Sequence, residues 1–419
     1  MRKKIYIPLI CTTLLLLVCG FIVFRIINTK SGNSKKKGST GNYNIDLIKS
    51  IKENKNYLIS PYSIEIALNM LKEGASGNTL KEIDNLLPDR KISNVYIKDR
   101  INVANGLFIK DSYKSKVKSS YKEKLVSNYD SEIIYDKFKT PDVINNWVND
   151  KTNGMIDKIL DDVSPEMVIG LANAIAIDVD WASEFECSLT RSEKFTMDNG
   201  KTMNVEMMHN SYIAGSKYLE TNDATGIIIP YKSYNSKTGK IDYDKGSNLE
   251  FIGILPKEDV SSYINNLTKK KLDELIKSAK SSSRKYEIDL SLPRFKYEYE
   301  IPDFIKTLNS LGIKDAFKED SANFTNIVNK KDMYNNLYVG TAIHKTYIDL
   351  NEKGTKAAAV TFFGMNDYAA LNDEKEIVNI TFNKPFIYLI RDAQTKEMLF
   401  FGAVFEPNKW NGTTCVNEN

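Results

Sequence analysis

The chain has 419 residues, 42% hydrophobic and 27% charged, with 21 Gly and 11 Pro, proportions that exclude collagen-like, mucin-like and disordered chains. Its formal charge of +4 is misleading, because residues 1–40 hold eight of the 58 Lys and Arg and none of the 54 Asp and Glu. The remainder is mildly acidic, which argues against a nucleic-acid partner held by phosphate neutralisation.

At the amino end, Arg2, Lys3 and Lys4 precede an uncharged, mostly apolar run from Ile5 to Phe24. About 20 residues at ~1.5 Å rise span the ~30 Å hydrocarbon core, and the leading cations predict a cytoplasmic terminus and an exported body. Residues 1–27 therefore read as a membrane anchor. A cleaved signal segment and a lipid anchor on Cys19 are the alternatives, opposed by the lack of an A-x-A-like site and by bulky Val18. Residues 28–42, rich in Ser, Gly, Asn and Lys, read as a flexible stalk. Residues 43–410 read as a single large domain and 411–419 as a tail.

Ser60-Pro61 predicts a capped helix with Ile64, Ala67, Leu68 and Leu71 on one face. Gly74 to Gly77 stops it, and Thr79 is expected to cap the next helix. Residues 141–160 predict another amphipathic helix, with Ile144, Trp147, Val148 and Ile156 on one side. Leu171 to Val179 reads as a buried central strand. Further strands are expected at 227–229, 249–255, 286–292, 378–382, 386–390 and 399–405. Strands and helices do not alternate strictly, so the fold class is α+β without βαβ repeats. Residues 352–376 form a loop too long for a compact domain unless it is functional. Its first half, small and β-branched, suits a segment that is exposed first and becomes a buried strand later; a short helix over Lys356–Ala359 is the plainer reading. No CxxC, HExxH, GxSxG, Walker or GxGxxG motif occurs, so no catalytic residue, metal or cofactor is assigned.

The chain resembles the serpin family over nearly all of residues 43–410. Ser60 to Ile64 resembles its SPxSI motif and Gly74 to Thr79 its GAxGxT. Asn105 to Phe108, Asn146 to Val148 with Thr152 and Gly154, and Leu171 to Ala174 with Trp181 and Phe185 follow in register. Leu292 to Lys296, Leu311 to Ile313, His344-Lys345, Phe382 through Phe386, and Leu399 to Gly402 with Pro407 complete the series. The resemblance implies a metastable fold of three β-sheets and eight or nine helices with an exposed reactive-centre loop. It implies a suicide-substrate inhibitor of serine proteases. The protease forms an acyl-enzyme on the loop, and the cut loop enters the large sheet as a strand. Two new ladder edges gain on the order of 10–30 kcal/mol, rivalling the stability of an ordinary domain.

The hinge implied by the resemblance is Glu352, Gly354, Thr355, Lys356, Ala357, Ala358, Ala359, Val360 and Thr361, with Thr355, Ala357, Ala359 and Thr361 facing inward. Lys356 replaces the usual acid, on the outward face. Family spacing from Glu352 places the reactive bond between Tyr368 and Ala369, which points to chymotrypsin-like targets; Met365 or Leu371 is the alternative. Ser60, Ser63, Asn173 and His344 match the hydrogen-bonded cluster beneath the opening sheet (the shutter). Trp181, Arg294 and Glu352 match the breach at its top. Cys187 and Cys415 are candidates for a disulfide outside the cytoplasm. The basic runs at 114–124 and 269–285 read as solvated helix faces. A monomer prone to loop-sheet polymerisation is implied, with a target protease as partner and a membrane contact through the amino end. A non-inhibitory carrier or chaperone, or an inhibitor of a cysteine protease, remains open. A hydrolytic enzyme is disfavoured, because neither His209 nor His344 lies beside a nucleophile motif.

Overall fold

The computed structural model describes residues 42–355 and 376–410, apart from Lys52, Asn94, Tyr212, Asp244, residues 282–285 and Tyr334. In chain order it runs α1 (Tyr43–Ser50), β1 (Tyr57–Ile59), α2 (Pro61–Gly74), α3 (Gly77–Leu86), β2 (Ile101–Lys110), α4 (Ser119–Tyr129), β3 (Ser131–Asp136), α5 (Asp142–Lys151), β4 (Ile169–Ile177) and β5 (Val179–Asp180). There follow β6 (Arg191–Thr196), β7 (Thr202–Asn210), β8 (Lys217–Glu220), β9 (Ala224–Pro230), β10 (Leu249–Pro256), α6 (Val260–Asn265), α7 (Lys269–Lys277), β11 (Lys280–Ser281) and β12 (Tyr286–Pro293). The chain ends with β13 (Phe295–Glu300), α8 (Phe304–Leu311), β14 (Lys345–Leu350), β15 (Gly354–Thr355), β16 (Glu376–Thr381), β17 (Phe386–Asp392) and β18 (Met398–Val404).

Local chemistry explains most boundaries. Ser60 caps α2, its hydroxyl accepting from Ser63 N at 3.1 Å, and Pro61 occupies the first turn, where its missing N–H costs nothing. The expectation for Thr79 fails: Ser76 is the cap residue of α3, while Thr79 lies inside the helix with Oγ1 accepting from Asn323 N at 3.0 Å. The predicted helix over 141–160 stops at Lys151. Asn153 and Gly154 take φ of 51° and 73°, left-handed values that end a helix.

The apolar runs expected as strands are β9, β10, β12, β16, β17 and β18. The largest sheet has seven strands in the order β1-β18-β17-β10-β9-β8-β11, and a second has the order β16-β12-β7-β6, in which β12 and β16 are parallel. Strands β10, β17 and β18 carry the centre of the core, with Phe251, Tyr388 and Phe401 fully buried.

Two smaller sheets, β13-β14-β15-β5 and β3-β2-β4, account for the rest. Among the described residues four sheets are therefore present where three were expected. The difference has a simple origin, since β4 and β5 are one chain run interrupted at Asp178. The two small sheets are halves of one sheet, joined at the top and parted below. The expectation of a central strand at 171–179 is corrected accordingly: β4 is bonded to β2 on one side and stands at the edge of its sheet. Ile169, Gly170, Leu171 and Asn173 are only half-buried as a result. Among the described residues, no helix is long and apolar enough to cross a membrane. The predicted anchor, the stalk up to residue 41 and the tail lie outside the described residues.

Candidate functional site

The parted sheet is the feature around which the singled-out residues gather. At its upper end two residues expected in the hinge are paired on both sides: Gly354 pairs with Asp180 and Thr355 with Val179 on one side, and Thr355 pairs with Leu350 on the other. Only glycine fits at 354, since an added Cβ would lie 2.1 Å from Val179 O. Thr355 is buried and its Oγ1 is 2.7 Å from Tyr231 Oη. Tyr231 in turn stacks on the fully buried Trp181, with ring centroids 4.5 Å apart. Trp181 donates Nε1–H to Asn351 O at 2.9 Å and its backbone N–H to Lys353 O at 2.7 Å.

Electrostatics holds the same point. Arg294 Nη2 is 2.6 Å from Glu352 Oε1, and its Nε–H reaches Oε2 at 2.7 Å. The Thr190 hydroxyl also donates to Glu352. A second buried acid, Glu206, lies 3.7 Å from Arg294 Nη1. Burial pushes its carboxyl above the ordinary range, partly offset by Arg294. Sequence reasoning missed Thr190 and Glu206, because an acid between Val205 and Met207 in a strand looks like any outward residue.

Midway down, Ser60, Ser63, Asn173 and His344 meet. Ser60 N–H donates to His344 Nε2 at 3.0 Å, Ser60 Oγ donates to Leu399 O at 2.7 Å, and the Ser63 hydroxyl donates to Asn173 Oδ1. Asn173 passes the chain on to Asn105 through its amide. Helix α2 and strand β4 are thus stitched together under the gap. Burial drives His344 down from 6.5 to about 3, so the ring is neutral and accepts from Ser60. Farther along the same helix, Glu65 is buried and bonded through Oε2 to Arg90 at 2.8 Å, while Arg90 also clasps Glu397 at 2.7 and 2.8 Å. Burial raises Glu65 to about 7, against the pull of Arg90. Arg90, Glu65 and Glu397 carried no signal in the sequence.

Below that cluster β4 and the facing segment 335–344 run unbonded to each other. Among the described residues no strand pairs with the outer edge of β4, which leaves backbone donors and acceptors ready for one more strand.

Several expected residues lie outside the described residues: Lys356 to Thr361 of the hinge, Met365, Tyr368, Ala369, Leu371 and Cys415. Cys187 sits in a short 3-10 turn before β6 and is disulfide-bonded; the other Cys residues of the chain lie outside the described residues. His209 has an unforeseen neighbour, with Nδ1 3.1 Å from Ser291 Oγ and Nε2 3.1 Å from Glu193 Oε1. The spacing resembles that of a hydrolytic triad. Ser291, however, lies inside β12 with paired strands on both sides, away from the free loop or helix-end amides that would cradle an oxyanion.

Comparison with known proteins gives a consistent picture. A family model described as Serpin (serine protease inhibitor) matches residues 39–407. An uncharacterised serpin-like protein of Methanosarcina mazei is 30% identical, over 85% of this chain and 83% of its own. The thermophilic serpin tengpin is 32% identical, with TM-scores of 0.73 to its native structure (90% of this chain, 95% of tengpin) and 0.69 to its latent one (90% and 100%). Thyroxine-binding globulin in complex with thyroxine shares the fold at 24% identity and TM-score 0.70, over 88% of this chain and 98% of its own.

Proposed function

The chain belongs to the serpin family, and from that premise we propose that it is an inhibitor that traps serine proteases by inserting its cleaved loop into the gap between β4 and β14. The observation that carries this reading is the pre-seated hinge. Gly354 and Thr355 already form the first rungs of a strand between β5 and β14, directly above the unpaired edge of β4. A loop continuing down the same line gains a ladder on both sides without any strand being displaced. In residues 356–361, Lys-Ala-Ala-Ala-Val-Thr, the inward positions Ala357, Ala359 and Thr361 carry side chains small enough for that slot, and Lys356 falls on the outward face. The fold alone decides nothing here, since thyroxine-binding globulin shares it; the hinge composition favours inhibition over a carrier role.

Cleavage between Tyr368 and Ala369 would put an aromatic side chain in the protease's specificity pocket, so chymotrypsin-like enzymes are the proposed targets. The molecule acts as a monomer, and the same open edge exposes it to polymerisation by a loop from another copy. The apolar run 5–24 after Arg2, Lys3 and Lys4 supports an exported protein held at a membrane. Incubation with chymotrypsin tests the reading: an SDS-resistant complex, and a cleaved loop starting at Ala369 by mass spectrometry, are expected. Plain cleavage with no complex and no rise in melting temperature would sink it.

A further inference from the structure

Residues 231–248 join β9 to β10. Those strands are antiparallel neighbours, which ~2–5 linking residues would connect. Connections this long are uncommon in a compact domain and usually functional. This one is folded. Tyr234 forms a bridge with Ile241, Asp242 N–H donates to Ser233 O at 2.9 Å, and Asn235 N–H donates to Lys240 O at 2.8 Å. Tyr234 N–H donates to Asn248 Oδ1 at 2.5 Å. The turn is also tied to the segment before β2, where Lys98 N–H donates to Ser236 O at 3.0 Å.

The folded connection lies against β5. That strand has two residues, and among the described residues no strand of the sheets pairs with its outer edge. Bonding to the β2 side ends at Asp178, whose N–H donates to Arg100 O at 2.8 Å. Beyond that point the connection takes over. Lys232 N–H donates to Asp180 O at 2.8 Å, and Ala182 N–H donates to Pro230 O at 3.0 Å. Asp180 N–H donates to Tyr234 Oη at 3.0 Å, and the same hydroxyl donates to Asp180 Oδ2 at 2.9 Å. Tyr234 is buried, with the Arg100 guanidinium 4.9 Å from its ring centre. Asp180 is the residue paired with Gly354.

We propose that residues 231–248 brace β5 in place of a neighbouring strand, with Tyr234 the positioning residue that keeps Asp180 in register for Gly354 and Thr355. A strand of two residues at a sheet edge does not hold such an alignment alone. Tyrosine suits the position because one hydroxyl both accepts and donates; phenylalanine would leave Asp180 N–H without a partner. The inference rests on the trapping reading above. It adds the residue that sets how often a protease is trapped rather than released after plain cleavage.

Hydrogen–deuterium exchange of the full chain without protease, read by mass spectrometry over residues 351–355, tests the brace. Tyr234→Phe is expected to speed exchange there at least tenfold, while β10 and β17 exchange as in the parent. Asn248→Ala withdraws the acceptor of Tyr234 N–H. It is expected to act in the same direction, at least threefold, and serves where the first variant fails to fold. With chymotrypsin, Tyr234→Phe is expected to consume at least threefold more inhibitor per protease trapped, at an unchanged rate of loop cleavage. A general loss of stability would not separate those two quantities. Exchange over 351–355 within twofold of the parent overturns the proposal, as does a rise spread evenly over the chain. Parental consumption in a variant whose hinge exchanges faster has the same consequence. A parent chain that forms no complex with chymotrypsin defeats the trapping reading alone, because exchange still decides the brace.

Discussion

Glu352 and Arg294, 58 positions apart in sequence, are joined by a two-pronged ion pair whose shortest arm is 2.6 Å. The pair sits beside the first two rungs of the hinge, so the charge contact and the seated strand hold one another. Phe185 N–H, donating to Glu352 O at 2.9 Å, ties the same residue to the segment after Trp181. The top of the sheet is thereby closed while the bottom is parted, and the hinge is the boundary between the two.

Removing one partner of that pair strands the other. Both side chains are largely buried, 18% and 7% exposed for Arg294 and Glu352, and Arg294→Ala leaves Glu206 as well as Glu352 uncompensated. A loss of about 3–5 kcal/mol is expected, as for buried pairs generally. Thermal melting should show it, and size-exclusion chromatography should show polymer forming below the parent's melting range. An Arg294→Ala protein that melts within ~0.5 kcal/mol of the parent and stays monomeric would remove the lock from the argument.

Gly354 permits the seating of the hinge. Its missing Cβ is replaced by Val179 O and Asp180 Cα, 2.1 and 2.7 Å from where a Cβ would stand. Both are backbone atoms of β5 and cannot rotate aside. Gly354→Val is therefore expected to force the hinge out, at a strain cost of about 1–3 kcal/mol. More of the variant should be cleaved as plain substrate per protease trapped. Equal stoichiometry in parent and variant, measured by titrating chymotrypsin, would show that pre-seating is irrelevant to trapping.

Cys187 is in a disulfide, and Cys415 is the proposed partner because Cys11 and Cys19 fall in the apolar run. Residues 408–410 already follow β7, with Glu206 N–H reaching Asn408 O at 3.4 Å and Trp410 N–H reaching Asn204 O at 3.0 Å. Residues 408–410 are thus held against the sheet that follows Cys187. Cys187→Ser is expected to lower stability by about 2–4 kcal/mol. A non-reducing peptide map should link residues 187 and 415; a link from Cys187 to Cys11 or Cys19 rejects the assignment.

Much of this was legible because it is local or rests on motifs. The Ser60-Pro61 cap and the strands of the large sheet follow from short patterns, whereas the family resemblance put Ser60, Ser63, Asn173 and His344 in one cluster and Glu352 opposite Arg294. What escaped was non-local. No property of residues 169–177 says that the strand stands at an edge, because an apolar run suits an edge awaiting a partner as well as a centre. Thr79 looked like a cap because caps and buried hydroxyls use the same residue type; its partner, Asn323, is 244 positions away. Arg90 joins Glu65 and Glu397 across 25 and 307 positions, and no spacing rule reaches that far.

His344 and Glu65 make opposing predictions for pH, which single variants can separate. His344 titrates at about 3 when folded against 6.5 ordinarily. Between those values the unfolded chain holds more protons, so this group's contribution is full above 6.5 and lost as pH falls towards 3. Glu65 titrates at about 7 against 4.5. Between 4.5 and 7 the folded chain holds more protons, so its contribution falls as pH rises. From pH 4.5 to 6.5 each slope approaches ~1.4 kcal/mol per pH unit, with opposite sign. Relative to the parent, Glu65→Gln should therefore gain stability as pH rises through this window, and His344→Gln should lose it. Urea melts at pH 5, 6 and 7 measure both differences. Parallel curves for parent and Glu65→Gln would mean that Arg90 keeps Glu65 ionised throughout, and the buried carboxyl would then oppose nothing.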